Sequence, residues 1–230
     1  MFFLIALVTS YVSRYKGRVT SPFKVEPIVL EGTYVRLEPL TLAHEKDLAR
    51  AAADGELWNT EVTIIPNPSG MKNYIEAALK GFSRGSELPF AIIKKDRSAS
   101  GPLSSENWAE AKPGQVAGTT RFYEIFANDR KAGIGYTWLS RSAQRTAVNT
   151  ETKLLLLTHA FEVWKCVRVE LITDVLNEQS RAAILRLGAK QEGILRNHMT
   201  LPNGRIRDSV FFSIIDSEWP GVKEKLVKRL

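Results

Sequence analysis

Ala132-Gly-Ile-Gly-Tyr-Thr-Trp-Leu-Ser-Arg-Ser-Ala-Gln-Arg-Thr-Ala-Val-Asn149 passes from a strand-like run, through a small polar loop, to the start of a long apolar segment. Residues 132–139 have the composition of a strand. The loop 140–149 carries Arg141 and Arg145, and Asn149 is a credible N-cap for a helix from Thr150 to Trp164. Leu154, Leu157, Phe161 and Trp164 fall on one stripe of that helix, the spacing of a core-facing side. Strand, small polar loop and helix make an anion-binding layout. The first-turn N–H groups of a helix have no intrahelical acceptor, and the helix dipole adds partial positive charge there. The helix is therefore expected to be core along its side and ready for phosphate at its tip.

Downstream, Val167 to Thr173 reads as a second strand, followed by Asn177-Glu-Gln-Ser-Arg-Ala-Ala-Ile-Leu-Arg-Leu-Gly188. Asn177 is a good N-cap and Gly188 a good stop for a helix over 178–187. On a 3.6-residue turn, Asn177, Ser180 and Ile184 share one stripe, so two uncharged hydrogen-bonding groups face with the apolar contact surface. Taken alone, the same residues read equally well as a cap and an ordinary first-turn serine.

This order of elements, strand, loop, helix, strand, helix, resembles the GNAT superfamily of N-acetyltransferases, and within it the subgroup that acetylates ribosomal-protein N-termini. Gly193-Ile-Leu-Arg196 adds to the resemblance, which covers roughly residues 30 to 218. It implies an α/β fold with a mixed, mostly antiparallel central sheet flanked by helices. It also implies acetyl-CoA as co-substrate and direct transfer of acetyl to a primary amine, on a protein N-terminus or a small molecule. In that family the loop before the long helix carries Gln/Arg-x-x-Gly-x-Gly/Ala and cradles the pyrophosphate. Gln144 matches the first position, whereas Ala147 stands where Gly is usual and Asn149 where Gly or Ala is usual. Glycine permits close approach and positive φ; Ala147 adds a methyl, and Asn149 tolerates a left-handed turn.

The cofactor-binding set that the resemblance implies has three parts. Backbone N–H groups near Trp138 and Leu139 hold the acetyl carbonyl; Gln144, Arg145, Thr146, Ala147, Val148 and Asn149 form the phosphate loop; Asn177 and Ser180 flank the pantetheine arm. Ser180 is the local candidate to protonate the departing sulfur, since no tyrosine occurs between Asn177 and Gly188. Glu124 is the first choice of base, on the expectation that burial beside the cleft raises its proton affinity. Tyr123 points to the opposite strand face, and Asp208 and Glu61 are weaker alternatives. A second reading is open: the altered loop 144–149 belongs to a catalytically degenerate coenzyme-A-binding or regulatory module.

At 230 residues with 44% apolar and 9% aromatic content, the chain can bury the core of one domain, expected over 29–230 with a distinct extension over 1–28. The single cysteine, Cys166, rules out an internal disulfide and sits at a helix–strand junction as a packing residue. His44, His159 and His198 show no metal spacing, so no metal is expected. The net charge of +7 comes from basic residues interspersed with acids and no nucleic-acid motif, which argues against a nucleic-acid partner. Phe2 to Val8 is apolar but too short to span a bilayer and has no basic residues before it, so a cytoplasmic, non-membrane protein is expected.

Val35 and Leu37 alternate with Arg36 and Glu38 in a half-buried strand, and Thr41 can cap a helix through about Ala53. Met71 to Ser83 is a second amphipathic helix, and the resemblance makes Trp58, Asn59 and Glu61, between the two, candidates for the acceptor wall, with Trp58 reading equally well as a core anchor. Pro89–Lys94, Gln115–Ala127 and Lys131–Leu139 read as strands, with a polar excursion over 95–114. Asn203-Gly204 marks a hairpin between 196–201 and 206–215. An edge strand and this hairpin are candidate surfaces for a homodimer.

Overall fold

A computed structural model describes residues 22–95 and 114–230. Phe2–Val8 and the interior of the 95–114 excursion lie outside the described residues. The elements are β1 (Leu30–Glu31), β2 (Val35–Pro39), α1 (Glu45–Ala53), α2 (Met71–Ser83), β3 (Leu88–Lys94), β4 (Gln115–Phe126), β5 (Lys131–Leu139), α3 (Ala147–Thr158), β6 (Arg168–Asp174), α4 (Glu178–Leu187), β7 (Lys190–Thr200), β8 (Ile206–Ile215) and α5 (Trp219–Val227). The strands form one sheet in the order β1-β2-β3-β4-β5-β6-β8-β7. All neighbours are antiparallel except β5 and β6. The expected mixed, mostly antiparallel sheet flanked by helices is therefore present.

Alternation on the strands builds a core on each face. Val35, Leu37, Phe90, Phe122, Ile134, Val169, Leu171, Val210 and Phe212 pack with Leu156, Leu157, Ile184 and Leu226 from α3, α4 and α5. On the opposite face Ala91, Ile93, Val116 and Trp138 meet Leu48 and Ala52 of α1 and Met71, Ile75 and Ala78 of α2. Residues expected to form an extension also reach the first core: Phe23 stacks on Trp164 with ring centroids 4.6 Å apart. Cys166 is buried, as expected of a packing residue, and burial pushes its thiol up to about 12.

Three boundaries differ from the sequence expectation. Helix α3 starts at Ala147 rather than Thr150, because Thr146 and not Asn149 caps it: Thr146 is extended and its Oγ1 accepts from Val148 N at 3.3 Å. The helix then ends at Thr158 in a π turn, His159–Val163, with Trp164 N donating to His159 O. Strand β7 begins at Lys190, carried by its ladder to β8, and its edge leaves Ile194, Leu195 and Met199 exposed. This is the edge that the dimer expectation had in view.

One buried carboxylate fixes α3 against the sheet. Glu151 accepts from the backbone N–H groups of Thr33 (2.7 Å), Tyr34 (2.6 Å) and Val35 (2.7 Å), the turn between β1 and β2. A Cβ on Gly32 would stand 2.4 Å from the Glu151 carboxyl carbon, so only glycine admits this approach. Glu151→Gln places an amide donor against three donors, and should destabilise by about 3 kcal/mol. Denaturant titration checks this, and unchanged stability would show that the clamp is dispensable.

Candidate active site

The parallel strands β5 and β6 pair only at Lys131↔Arg168, Ala132↔Val169 and Gly133↔Glu170. Beyond Gly133 they part: β5 continues to Leu139 against β4, and β6 continues to Asp174 against β8. The sheet therefore forks. A bulge on β5 opposite Thr119–Arg121, with Tyr136 at φ 50°, bends the strand at this place. Each arm runs into a loop and a helix, so α3 and α4 both begin at the open end, the crevice where ligands lodge in sheets with diverging parallel strands.

The backbone of the β5 arm supplies a free donor. Ser140 N donates to Ala117 O at 2.7 Å, and Gly118 faces Leu139 in the same register. By antiparallel alternation Leu139 then turns its N–H away from β4 into the fork, whereas Trp138 turns its own toward β4. The Leu139 carbonyl is closed off by Gln144 Nε2, which donates to it at 3.0 Å. Gln144 thus pins the loop to the end of β5, and its backbone N–H bonds Ser140 O and Arg141 O. Asp54 staples the loop from the other side, accepting from Ser142 N at 2.9 Å; these Ser142 bonds hold its carboxyl below the usual range.

The missing glycines leave no strain at their own positions. Ala147 and Asn149 are the first and third residues of α3, in a conformation open to any L residue. The one left-handed residue of the loop is Arg145, at φ 58°. Ala147 and Asn149 present first-turn N–H groups without an intrahelical acceptor, while that of Val148 is taken by Thr146. Arg141 and Arg145 are exposed at the same tip. The cradle accordingly fits a phosphate-bearing ligand.

Across the fork, Asn177 Oδ1 accepts from Ser180 N at 2.9 Å, the expected cap, and Gly188 closes α4 at φ 100°. Ser180 is half-buried, and its hydroxyl makes no hydrogen bond among the described residues. Residues 35–190 match the acetyltransferase (GNAT) domain family.

The chain belongs to the GNAT acetyltransferases.

Among relatives, Bacillus subtilis YdaF, named as a candidate ribosomal N-acetyltransferase, is 34% identical over 110 residues. That match takes in 48% of this chain and 59% of YdaF, so the chain spans less than two thirds of this relative's length. A GCN5-related N-acetyltransferase from Brucella melitensis is 30% identical, with a TM-score of 0.74 over 91% of this chain and 89% of that one. Mycobacterium smegmatis RimJ, solved with CoA-disulfide, shares the fold at 19% identity, with a TM-score of 0.66 over 91% of this chain and 95% of that one.

In this GNAT chain the remaining sequence candidates fall less evenly. Glu124 is exposed, at φ 46° in a bulge near the hairpin end of β4, so the burial expected to make it basic is absent. Asp208 is committed to Asn197 N at 2.7 Å. Glu61 lends its carbonyl to Arg205 Nη2 at 2.7 Å, and Arg205 also pairs with the fully buried carboxylate of Asp174. The loop 57–67 and the β7–β8 hairpin are thereby joined beside the end of the β6 arm. Trp58 is half-buried against the α1–α2 core, and Asn59 is exposed, its side chain donating to Glu56 at 3.0 Å. Among the described residues, no group of three or more His, Cys, Asp or Glu side chains could hold a metal, and no helix is long and apolar enough to cross a membrane.

Sequence reading missed Lys153. Its Nζ donates to Thr137 Oγ1 at 2.6 Å, and the Thr137 and Thr120 hydroxyls lie 2.7 Å apart, a polar strut between α3 and the β5 arm. The signal was its place four residues before Leu157, on the core side of the helix. Burial lowers the amine to about 7 from an ordinary 10.5, with no carboxylate to offset it. Between these values the unfolded chain binds the extra proton, so stability rises with pH through that window. Wild type should therefore gain stability relative to Lys153→Met as pH goes from 7 to 10. Parallel denaturant titrations check this; a pH-independent difference would contradict the lowered proton affinity.

Proposed function

We propose that this GNAT domain is an acetyl-CoA-dependent N-acetyltransferase acting on a primary amine, by direct transfer. The observation that carries the reading is the fork: two parallel strands that part after three paired residues, with a free Leu139 N–H inside and the N-termini of α3 and α4 at its mouth. Acetyl-CoA supplies an acyl group already activated as a thioester. The chain's own part is to hold the coenzyme phosphates at the first turn of α3 and the loop 144–149, and to offer Leu139 N–H to the acyl oxygen, where a positioned donor stabilises developing charge. The Ser180 hydroxyl, unengaged at the first turn of α4, is the group we assign to deliver a proton to sulfur. Glu124, exposed and on the hairpin side of Gly133, lacks the burial that made it the first choice of base, so we assign the amine proton to solvent. The name of YdaF and the subgroup resemblance favour a protein N-terminus as acceptor, and the pairing of loop 57–67 with the β7–β8 hairpin gives that acceptor a wall. A cytoplasmic site of action follows from the coenzyme and from an acceptor of this kind.

Thermal unfolding with millimolar acetyl-CoA, coenzyme A and ATP tests the cofactor first. A ligand at a hundredfold its Kd adds about 2.7 kcal/mol, so acetyl-CoA should raise the midpoint and ATP should not. No shift with any coenzyme-A species would sink the enzyme and the coenzyme-binding module together. A shift without transfer to any amine would leave the module. With an acceptor in hand, Ser180→Ala should lower turnover by about 100-fold or more while Glu124→Gln leaves it near normal; near-normal turnover in Ser180→Ala removes the serine from the mechanism, and a large loss in Glu124→Gln restores the glutamate as base.

A further inference from the structure

Arg207 of β8 stands level with the acyl end of the fork. At the root, Gly133 pairs with Glu170, and Glu170 pairs in turn with Ser213 of β8. Leu139 is six residues above Gly133 on β5, and Arg207 is six above Ser213 on β8. Strands rise by a nearly constant step, so the two residues stand within about one residue of the same height, with the bulge on β5 allowed for. The β6 ladder stops below them, at Asp174 opposite Ser209, and the chain then turns to α4. Above that level no strand separates Arg207 from the fork.

Alternation sets the face. Val210 and Phe212 belong to the core shared with α3 and α4, so Ser209 and Arg207 belong to the face that carries α1 and α2. Arg205 agrees, because it bonds Glu61 O in the connection between those two helices. Helices α1 and α2 cover this face only over β3, β4 and β5: their core takes Ala91, Ile93, Val116 and Trp138 from the sheet and nothing from β6, β7 or β8. The coenzyme phosphates are assigned to the α3 side, which leaves this uncovered half-face to the acceptor.

The neighbouring arginines on this face are paired. Arg121 meets Glu87, Arg168 meets Glu170 and Glu192, and Arg205 meets Asp174. Arg207 is half-buried, its Nε is buried without a hydrogen-bond partner, and its guanidinium has no hydrogen bond or ion pair among the described residues. Asp174 lies within reach of its field but is fully buried and committed, to Arg205 and to Leu176 N at 3.0 Å. Burial disfavours the Arg207 cation, yet a guanidinium keeps its proton at any working pH. A partly desolvated charge of this kind is satisfied by an anion brought from outside.

We propose that Arg207 determines acceptor specificity, by pairing with a carboxylate that the acceptor carries one or two residues after its free amine. The preferred acceptor is then a polypeptide N-terminus with an acidic second or third residue. The inference rests on the acetyltransferase reading and names the chemistry of its acceptor. The spacing sets the position: β5 and β8 are two strand spacings apart, about 10 Å at the root of the fork, and an extended chain advances about 3.3 Å per residue. With its amine at the acyl carbon, such a chain brings its second or third side chain to the guanidinium.

Steady-state acetylation of short peptides with free N-termini, carrying Ala, Glu or Lys at positions two and three, tests this. Wild type should favour Glu over Ala in kcat/KM by about 10-fold or more, the worth of a hydrogen bond to a charged group, and should disfavour Lys. Arg207→Gln should bring the Glu-to-Ala ratio near one, Arg207→Lys should keep part of it, and Arg207→Glu should turn the preference to Lys. The thermal shift with acetyl-CoA should be the same in all four proteins. No preference in wild type overturns the proposal, whatever the variants do. So does a Glu-to-Ala ratio that survives Arg207→Gln, because an equal loss on every peptide marks a structural role. Free glutamate turned over faster than the acidic peptide also overturns it, since the carboxylate read would then be that of a small amino acid. Wild type that transfers to no amine, while still shifted by acetyl-CoA, brings down the acetyltransferase reading itself and this proposal with it.

Discussion

The carboxylate of Glu151 sets the place of everything at the site. Three backbone N–H groups in the turn between β1 and β2 converge on it, and all three would be costly to leave unmet in a buried position. Glu151 sits in the second turn of α3, so the clamp locates the helix along its axis as well as against the sheet. Two further polar tethers act on the same helix and its entry: Lys153 to Thr137, and Gln144 to the Leu139 carbonyl. Apolar packing alone tolerates sliding, because dispersion and area burial have no direction. Hydrogen bonds of fixed length do not. Together the three contacts hold the first turn of α3 at the mouth of the fork.

The fork is a consequence of strand direction. A sheet that is antiparallel almost throughout has one parallel pair, β5 and β6, and a parallel pair needs a crossover, here α3. The crossover helix covers one face while its N-terminus stands at the end of the strand it leaves. Once the ladder to β6 stops at Gly133, the N–H groups that the β5 arm turns away from β4 have no strand beside them, and unpaired backbone donors call for a partner. The bulge at Tyr136 bends that arm, so the opening is built into the backbone.

The fold was legible because its local signals agree with one another. Met71–Ser83, Lys131–Leu139 and Ile206–Ile215 have the ends expected from periodicity and turn residues, and Asn177 and Gly188 cap α4 as expected. The start of α3 was misplaced because two residues compete for the cap. Thr146 wins since it also donates its hydroxyl to Ala143 O at 2.7 Å, a contact invisible to spacing. The left-handed turn went to Arg145, not to either position where glycine was missed. Glu124 failed as a buried group for a related reason: alternation predicts which face a residue takes only while the ladder is regular, and a bulge near the end of β4 breaks it. Lys153 escaped notice because its meaning lies in a partner on another element, Thr137 of β5.

The two helix N-termini at the fork share a face. Helices α3 and α4 both pack on the core that holds Phe122 and Ile134, and each has its first turn fixed by its own cap, Thr146 in one and Asn177 in the other. A cap satisfies one first-turn N–H and holds the turn in place, while its neighbours keep no acceptor within the helix. Capping therefore does not close a helix N-terminus to a ligand; it fixes the directions in which the remaining donors point.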